Sequence, residues 1–582
     1  MVVRRTLPVL VIAVTLLAGS GTAVAKAPPA FGPVATGFGG AVATVDPDAT
    51  RVGLAVLRDG GNAVDAAVAA AATLGVTEPF SSGIGGGGFF VFYDARTRTV
   101  HTIDGRETAP ATMRPDAFVN PATGMPYNFQ EARVSGISVG VPGTLATWQS
   151  ALDRWGTRSL RRSLQPAIDV AHRGFVVDAT FAGQVASNRD AFGQFSSTSA
   201  LYLPGGAPPP VGSVFRNPDL ARTYEQIARE GIGAFYRGPI GADLVRTVRQ
   251  PPRSPTPVGT WAFPIRPGTM QRSDLAAYRT RFPAPTHVTY HGLDVYGMPT
   301  PSSGGSTVGE ALNILDTVDL ARLPYAQALH YYLEASALAF ADRNRYVGDD
   351  TPRSLLDALL TPEFAKQRAA LIDPDHAREP FPPGVPDGHE QHTTNLTVAD
   401  RWGNVVEYTF TIEQIGGNGM VVPGRGFLLN NELTDFNFVP TQGSAPDPNL
   451  PAPGKRPRSS MAPTILLRGG RPLLAVGSPG GATIITTVLQ ILLNRLDFGM
   501  SLPDAIAAPR ASQRNLATTQ AEPAFLALPQ ISVLQAMGHT FVSTTEIGAA
   551  TGVEFLGHGR LLAATEPVRR GGGAAGVVRT HG

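Results

Sequence analysis

His392-Thr393-Thr394-Asn395-Leu396-Thr397-Val398-Ala399-Asp400 follows the run Pro382-Pro383-Gly384-Val385-Pro386-Asp387-Gly388-His389, which sustains neither helix nor central strand. A threonine therefore stands where a loose linker meets a strand. A cut before Thr393 would give one residue both a free α-amine and a hydroxyl, a nucleophile carrying its own base. The spacing predicts a hairpin, with strands Thr393 to Asp400 and Asn404 to Glu413 and the loop Arg401-Trp402-Gly403 with glycine at the left-handed position. That register pairs Asp400 with Asn404 and Thr393 with Thr411. Alternation sends Val406, Tyr408, Phe410 and Ile412 to one face, and Glu407, Thr409, Thr411 and Glu413 to the other beside Thr393. From these residues alone, a Thr-rich edge hairpin facing solvent remains an equal alternative.

Downstream the chain reads VVEYTFTIEQIGGNGMVVPGRGFLLNNELTDF (405–436), GKRPRSSMAPTI (454–465) and VGSPGGATIITTVLQ (476–490). These motifs, in this order, resemble the γ-glutamyltranspeptidase (γ-glutamyltransferase) family of N-terminal nucleophile hydrolases, and the resemblance spans nearly the whole mature chain. It implies an α+β fold, a four-layer αββα sandwich of two stacked antiparallel sheets with helices outside. It also implies autoprocessing between His392 and Thr393, giving a large subunit 26–392 and a small subunit 393–582 that form a heterodimer. Residues 376–392 would be a flexible linker ending the large subunit.

At the start of the chain, Arg4 and Arg5 precede the apolar run Leu7 to Ala18, which ends in Ala23-Val24-Ala25. This is a secretory signal peptide (1–25), too short for a comfortable membrane span. The expectation is an exported protein, periplasmic, cell-envelope or extracellular, without stable membrane insertion. Removing Arg4 and Arg5 brings the net charge from +2 to zero, and nothing in that balance points to nucleic acid. The chain has no cysteine, so stability must come from its core, for which 582 residues suffice.

Residues Gly40 to Asp46 read as a strand and Ala63 to Leu74 as an Ala-rich helix. Ser81-Ser82-Gly83-Ile84-Gly85-Gly86-Gly87-Gly88 contains G-x-G-x-x-G, but a helix precedes it and the strand Phe89 to Tyr93 follows. That order is the reverse of a dinucleotide site, and a close-packed turn is the better reading. Residues 136 to 350 read as mostly helical with a loop-rich interruption. Ser302 and Ser303 read as helix caps, His330 to Tyr346 as an amphipathic helix, and His330 as a packed residue rather than a ligand. His389, Glu390 and His392 are not H-E-x-x-H, and neither a metal nor another cofactor is expected. Lys455 reads either as a partner of acids near the site or as half of a surface salt bridge.

The resemblance assigns the remaining roles. Arg106, with Ser459 and Ser460, would clamp the α-carboxylate of a γ-glutamyl donor, and Glu432 and Asp435 its α-ammonium. Gly480 and Gly481 would offer backbone N–H groups to the oxyanion. Thr394 and Thr411 would orient the Thr393 amine. Donors would be glutathione or another γ-glutamyl compound, and acceptors water, amino acids or peptides. Lidded members carry Asn where this chain has Glu413, paired with a lid Tyr. The loop Asn437 to Pro453 has no Tyr, which resembles the lidless bacterial branch and puts Glu413 near the ammonium subsite. Rival readings are a γ-polyglutamate-processing enzyme of the capsule-depolymerase type, an amidase of the cephalosporin-acylase type, and an uncut exported binding protein.

Overall fold

A computed structural model describes residues 31–382 and 393–581. The signal segment and His392, with most of the linker, lie outside the described residues. Twelve strands form one continuous hydrogen-bonded sheet. They are β1 (Val34–Thr44), β2 (Gly87–Asp94), β3 (Thr99–Gly105), β4 (Thr286–Tyr290), β5 (Leu293–Gly297), β6 (Thr394–Asp400), β7 (Val405–Thr411), β8 (Thr464–Arg468), β9 (Arg471–Gly477), β10 (Thr551–Gly557), β11 (Arg560–Thr565) and β12 (Ala574–Arg579). The order is β3-β2-β7-β6-β1-β11-β10-β9-β8-β5-β4, with β12 also on β1.

The sheet doubles over at β1. Val34 to Phe38 pair with β11, whereas Ala41 to Thr44 lie between β6 and β12. The register shifts at Gly39 and Gly40, both at positive φ (83° and 134°), and the strand passes from one layer to the other there. The first layer is then β3-β2-β7-β6-β1-β12 and the second β1-β11-β10-β9-β8-β5-β4. They face each other through β6 and β7 against β9 and β10, where Asn395 Nδ2 donates to Thr551 Oγ1 at 2.8 Å.

Helices cover both outer faces. On the first layer lie α1 (Ala63–Thr77), over β6 and β7, and α2 (Thr144–Trp155), over β2 and β3. On the second lie α3 (Gly304–Leu315) over β4 and β5, with α4 (Tyr325–Tyr346) packed on α3. There too are α5 (Thr483–Leu496) on β9 and α6 (Leu502–Ala507) on β10 and β11. This is the αββα sandwich. The Ala-rich α1 is buried throughout, and its small side chains admit Phe90, Tyr408 and Phe410 beneath it. Tyr408 and Phe410 stack at 4.4 Å, and burying each such side chain contributes about 1.5–3 kcal/mol.

The expected hairpin register is present: Thr394 pairs with Phe410 and Ala399 with Val405, which sets Thr393 opposite Thr411. Gly403 has φ 90°. Asp400 closes the loop by accepting from Trp402 N and Asn404 N, and also takes Ala63 N at the start of α1. The solvent-facing alternative is overturned, because every residue of β6 and β7 is buried. The face carrying Glu407 and Thr409 is turned to the second layer: Glu407 Oε1 accepts from Asn395 Nδ2 at 2.6 Å and Thr409 Oγ1 donates to Asn395 Oδ1 within the hairpin, and Asn395 in turn reaches Thr551 of the second layer.

Three other expectations need correction. The region 136–350 contains the hairpin β4–β5, turned by His291 and Gly292 at φ 50° and 74°, with alternating burial. The α4 helix is not amphipathic: it is buried on nearly all sides because α3 and the described start of the expected linker enclose it, with Arg378 N donating to Glu334, so that part of the linker is packed rather than loose. Ser303 makes no capping bond; its Oγ donates to Ser459 O and accepts from Arg343 Nε. Among the described residues no helix is long and apolar enough to cross a membrane.

Candidate active site

Thr393 is buried at the open end of the β6–β7 ladder. The uncut chain gives it an amide nitrogen, so it has no amine before processing. Its carbonyl oxygen accepts from Arg570 Nη1 at 2.5 Å, and Arg570 Nη2 reaches Ser81 Oγ at 3.1 Å. Sequence reasoning missed Arg570, because VRRGGG reads as a basic surface turn. The Gly-rich stretch is the close-packed turn that was expected: β2 pairs Gly87 with Thr411, and a Cβ on Gly86 would collide with the Thr411 carbonyl. Thr411 Oγ1 accepts from Glu413 N at 2.7 Å, tying the strand end to the next turn, where Glu413 has φ 77°. Thr394, the next residue on the strand, has a buried hydroxyl with no hydrogen-bond partner in the uncut chain.

From that turn the chain of contacts leads to the charged cluster. Asn431 Nδ2 donates to Glu413 Oε2, and Asn431 N to Ile412 O. The next residues form a short 3-10 turn, Glu432–Asp435. Arg106, 1 % exposed, places Nη1 on Glu432 and Nη2 on Asp435. Its Nε and Nη2 also donate to Pro457 O (3.0 Å) and Arg458 O (3.1 Å), just before Ser459 and Ser460. Those serines are held from behind: Ser459 O takes Ser303 N and Oγ, and Ser460 Oγ accepts from Arg343 Nη2 at 2.9 Å. The structure thus gathers Arg106, Glu432, Asp435, Ser459 and Ser460. Lys455 is not among them: it pairs at 2.6 Å with Asp350, an exposed surface acid.

The electrostatics follow from burial. Burial opposes the Arg106 charge, but Glu432 and Asp435 outweigh it and hold the pKa above the ordinary value. Burial and Asp435 push Glu432 up to about 7 against the pull of Arg106. Glu107 is raised well above the carboxylate range by burial and by Glu432, and Glu413 by burial, Asp435 and Glu432. Glu413 thus stands beside the clamp acids as expected, with burial and those acids favouring its protonated form. A fixed cation flanked by acceptor oxygens suits a ligand bearing both a carboxylate and an ammonium.

Gly480 and Gly481 form the turn between β9 and α5. Their carbonyls accept from Thr483 N and Ile484 N, and no carbonyl among the described residues takes their own N–H groups. Free N–H groups before a helix favour developing negative charge. His330 is a packed residue, as expected: Nε2 meets Asp373 O at 2.7 Å and Nδ1 meets His539 Nε2 at 2.8 Å. His539, Glu379 and Glu334 bring possible ligand atoms within 4.8 Å of one another, apart from the candidate site. Hydrogen bonds already join them, with His539 Nδ1 to Glu379 Oε1 at 2.8 Å.

The Gamma-glutamyltranspeptidase family profile matches residues 49–577. The chain is 38% identical to a glutathione hydrolase proenzyme of Bacillus subtilis (strain 168), over 97% of each chain. It is 34% identical to an acylase ACY 1 proenzyme of Pseudomonas sp. (strain SE83), over 93% of this chain and 95% of that one. The crystal structure of a cephalosporin acylase from Bacillus halodurans superposes with TM-score 0.81 at 29% identity, covering 95% of this chain and 98% of that one. On the extent of these matches, the chain belongs to the gamma-glutamyltranspeptidase family of N-terminal nucleophile hydrolases.

Proposed function

We propose that the protein is an exported γ-glutamyltransferase and glutathione hydrolase that cleaves itself between His392 and Thr393. The observation that carries this reading is Arg106 held between Glu432 and Asp435, next to Ser459 and Ser460 and linked through Asn431 and Glu413 to the strand end at Thr411. An acyl group that is uncharged at its far end gains nothing from such a clamp; a γ-glutamyl group presents its α-carboxylate to Arg106 and the two serines, and its α-ammonium to Glu432 and Asp435.

Processing comes first. Thr393 Oγ1 attacks the His392 carbonyl, the peptide becomes an ester, and water hydrolyses it, leaving a carboxylate on His392 and an amine on Thr393. An α-amine ordinarily titrates at about 7.7–8.0, so this one then serves as base near neutral pH. It takes the hydroxyl proton as Oγ1 attacks the donor's γ-carbonyl. Gly480 and Gly481 N–H groups receive the oxyanion, and the proton passes to the departing amine. The γ-glutamyl ester is resolved by water or by an acceptor amine. Thr411 positions the nucleophile, and Arg570 fixes its carbonyl.

A gel of purified protein with N-terminal sequencing tests the reading. Wild type should give two pieces, the smaller beginning Thr393-Thr394-Asn395, and Thr393→Ala should remain whole and inactive. Arg106→Ala should be cut yet use a γ-glutamyl anilide about 10²–10³-fold less well, since breaking a buried charge contact costs about 3–5 kcal/mol. An intact but active wild type would overturn the mechanism.

A further inference from the structure

We propose that the cleft between the β9–α5 turn and residues 544–548 binds the C-terminal carboxylate of the departing peptide and of the amino acid or peptide acceptor, with Arg514 as its holder. This rests on the γ-glutamyl reading above. Gly480, Thr483, Arg514, Gln520, Glu546 and Arg570 are among the residues lining it. The cleft is open on one side, and the empty space within it, counted with the solvent at its mouth, is about 530 Å³.

Position is the first argument. One edge of the cleft is Gly480, the oxyanion donor, and another is Arg570, whose Nη1 holds the Thr393 carbonyl. The clamp around Arg106 shares no residue with the cleft and reaches the nucleophile through different elements. A donor anchored by its α-carbon in the clamp, with its γ-carbonyl at Thr393, continues past the scissile amide toward the cleft. In transfer, the acceptor amine attacks along the path by which the leaving amine departed, so both use this subsite.

Charge is the second argument. Among the described residues lining the cleft, Arg514 and Arg570 are cationic and Glu546 is anionic. Arg570 is engaged by Thr393 O and Ser81 Oγ, and its backbone N donates to Glu546 Oε2 at 3.2 Å. Glu78, whose charge interacts with that of Arg570, is pushed by burial up to about 8, which favours its protonated form. Arg514 is 5 % exposed, and its Nη2 donates to Gln520 Oε1 at 2.7 Å, which fixes the guanidinium plane. Its neighbours are pinned too: Gln513 Nε2 on Thr519 Oγ1, and Asn515 Nδ2 on Phe381 O. A planar, oriented guanidinium is suited to a carboxylate.

The test compares acceptors. With a γ-glutamyl anilide as donor, wild type should use glycylglycine about 10- to 100-fold better than glycylglycinamide in kcat/KM, the range for a charge-assisted hydrogen bond. In Arg514→Gln that preference should fall toward unity, with the loss in the KM for glycylglycine, and Arg514→Lys should restore part of it. If Arg514→Gln is not processed, the wild-type comparison and Arg514→Lys still decide. Equal use of the two acceptors by wild type, or a preference retained in Arg514→Gln, overturns the proposal and leaves the γ-glutamyl reading standing. A wild type that does not cleave the anilide overturns that reading instead.

Discussion

At the scale of single residues, the clamp is short of charge balance by design of its surroundings. Four carboxyl groups, Glu107, Glu413, Glu432 and Asp435, act on or beside Arg106, and burial keeps two of them well above the usual carboxylate range. Glu432, pushed up to about 7, is the group that titrates where the enzyme would work. Its ionised form is the acceptor for a donor ammonium, so donor KM should fall as pH rises through about 7. Glu432→Gln should remove that inflection and leave only the one from the Thr393 amine; a KM–pH profile on processed protein checks it. Most of these side chains could be read in sequence because they sit in compact motifs. Arg570 could not, since its contact with Thr393 spans 177 residues and nothing local marks it. Ser303 was misread for a related reason: serine before two glycines at a helix start looks like a cap, while its partner, Ser459, lies in another motif.

At the scale of elements, the β6–β7 hairpin was legible down to its register, because strict alternation and an Asp-x-x-Gly-Asn turn leave one solution. Which face met water was not legible: a face bearing Glu407 and Thr409 looks polar until Asn395 of the paired strand takes up both and the second layer covers them, with Thr551 accepting from Asn395. The α4 helix shows the same limit, with Glu334 and His330 buried in a polar cluster. There burial and the adjoining Glu379 raise Glu334 to about 9, while Glu379, despite burial, is held at about 2 chiefly by His539. A carboxyl raised in the folded state favours folding fully below its unfolded value, about 4.5, and that contribution is lost as pH rises toward 9. The Glu379 contribution is present above about 4.5 and is lost only as pH falls toward 2, outside this window. Glu334→Gln, which keeps a neutral group of the same shape, should therefore show a smaller fall in Tm between about pH 5 and 9 than the parent. A parallel fall in both proteins would show that Glu334 does not titrate in that range.

At the scale of the whole molecule, the two pieces expected from processing are interleaved. On the large-piece side, β1 lies among β6, β11 and β12 of the small piece, β2 pairs with β7, and β5 with β8. The layers were not legible from periodicity, because no local pattern reports that β1 changes partners midway. The same strand has a consequence for how the protein can be made. Phe38 near the described N-terminus pairs with Arg579 near the C-terminus, and Ala575 N donates to Gly32 O. The described ends, at residues 31 and 581, therefore lie within a strand's length of each other, a gap that a linker of about eight residues would span. Joining them and opening the chain at 392/393 yields a circular permutant in which Thr393 follows the initiator methionine. Once that methionine is removed, the amine exists from the start. Such a permutant should fold to the same sandwich and turn over a γ-glutamyl anilide as a single band on a denaturing gel, an enzyme born without a zymogen stage.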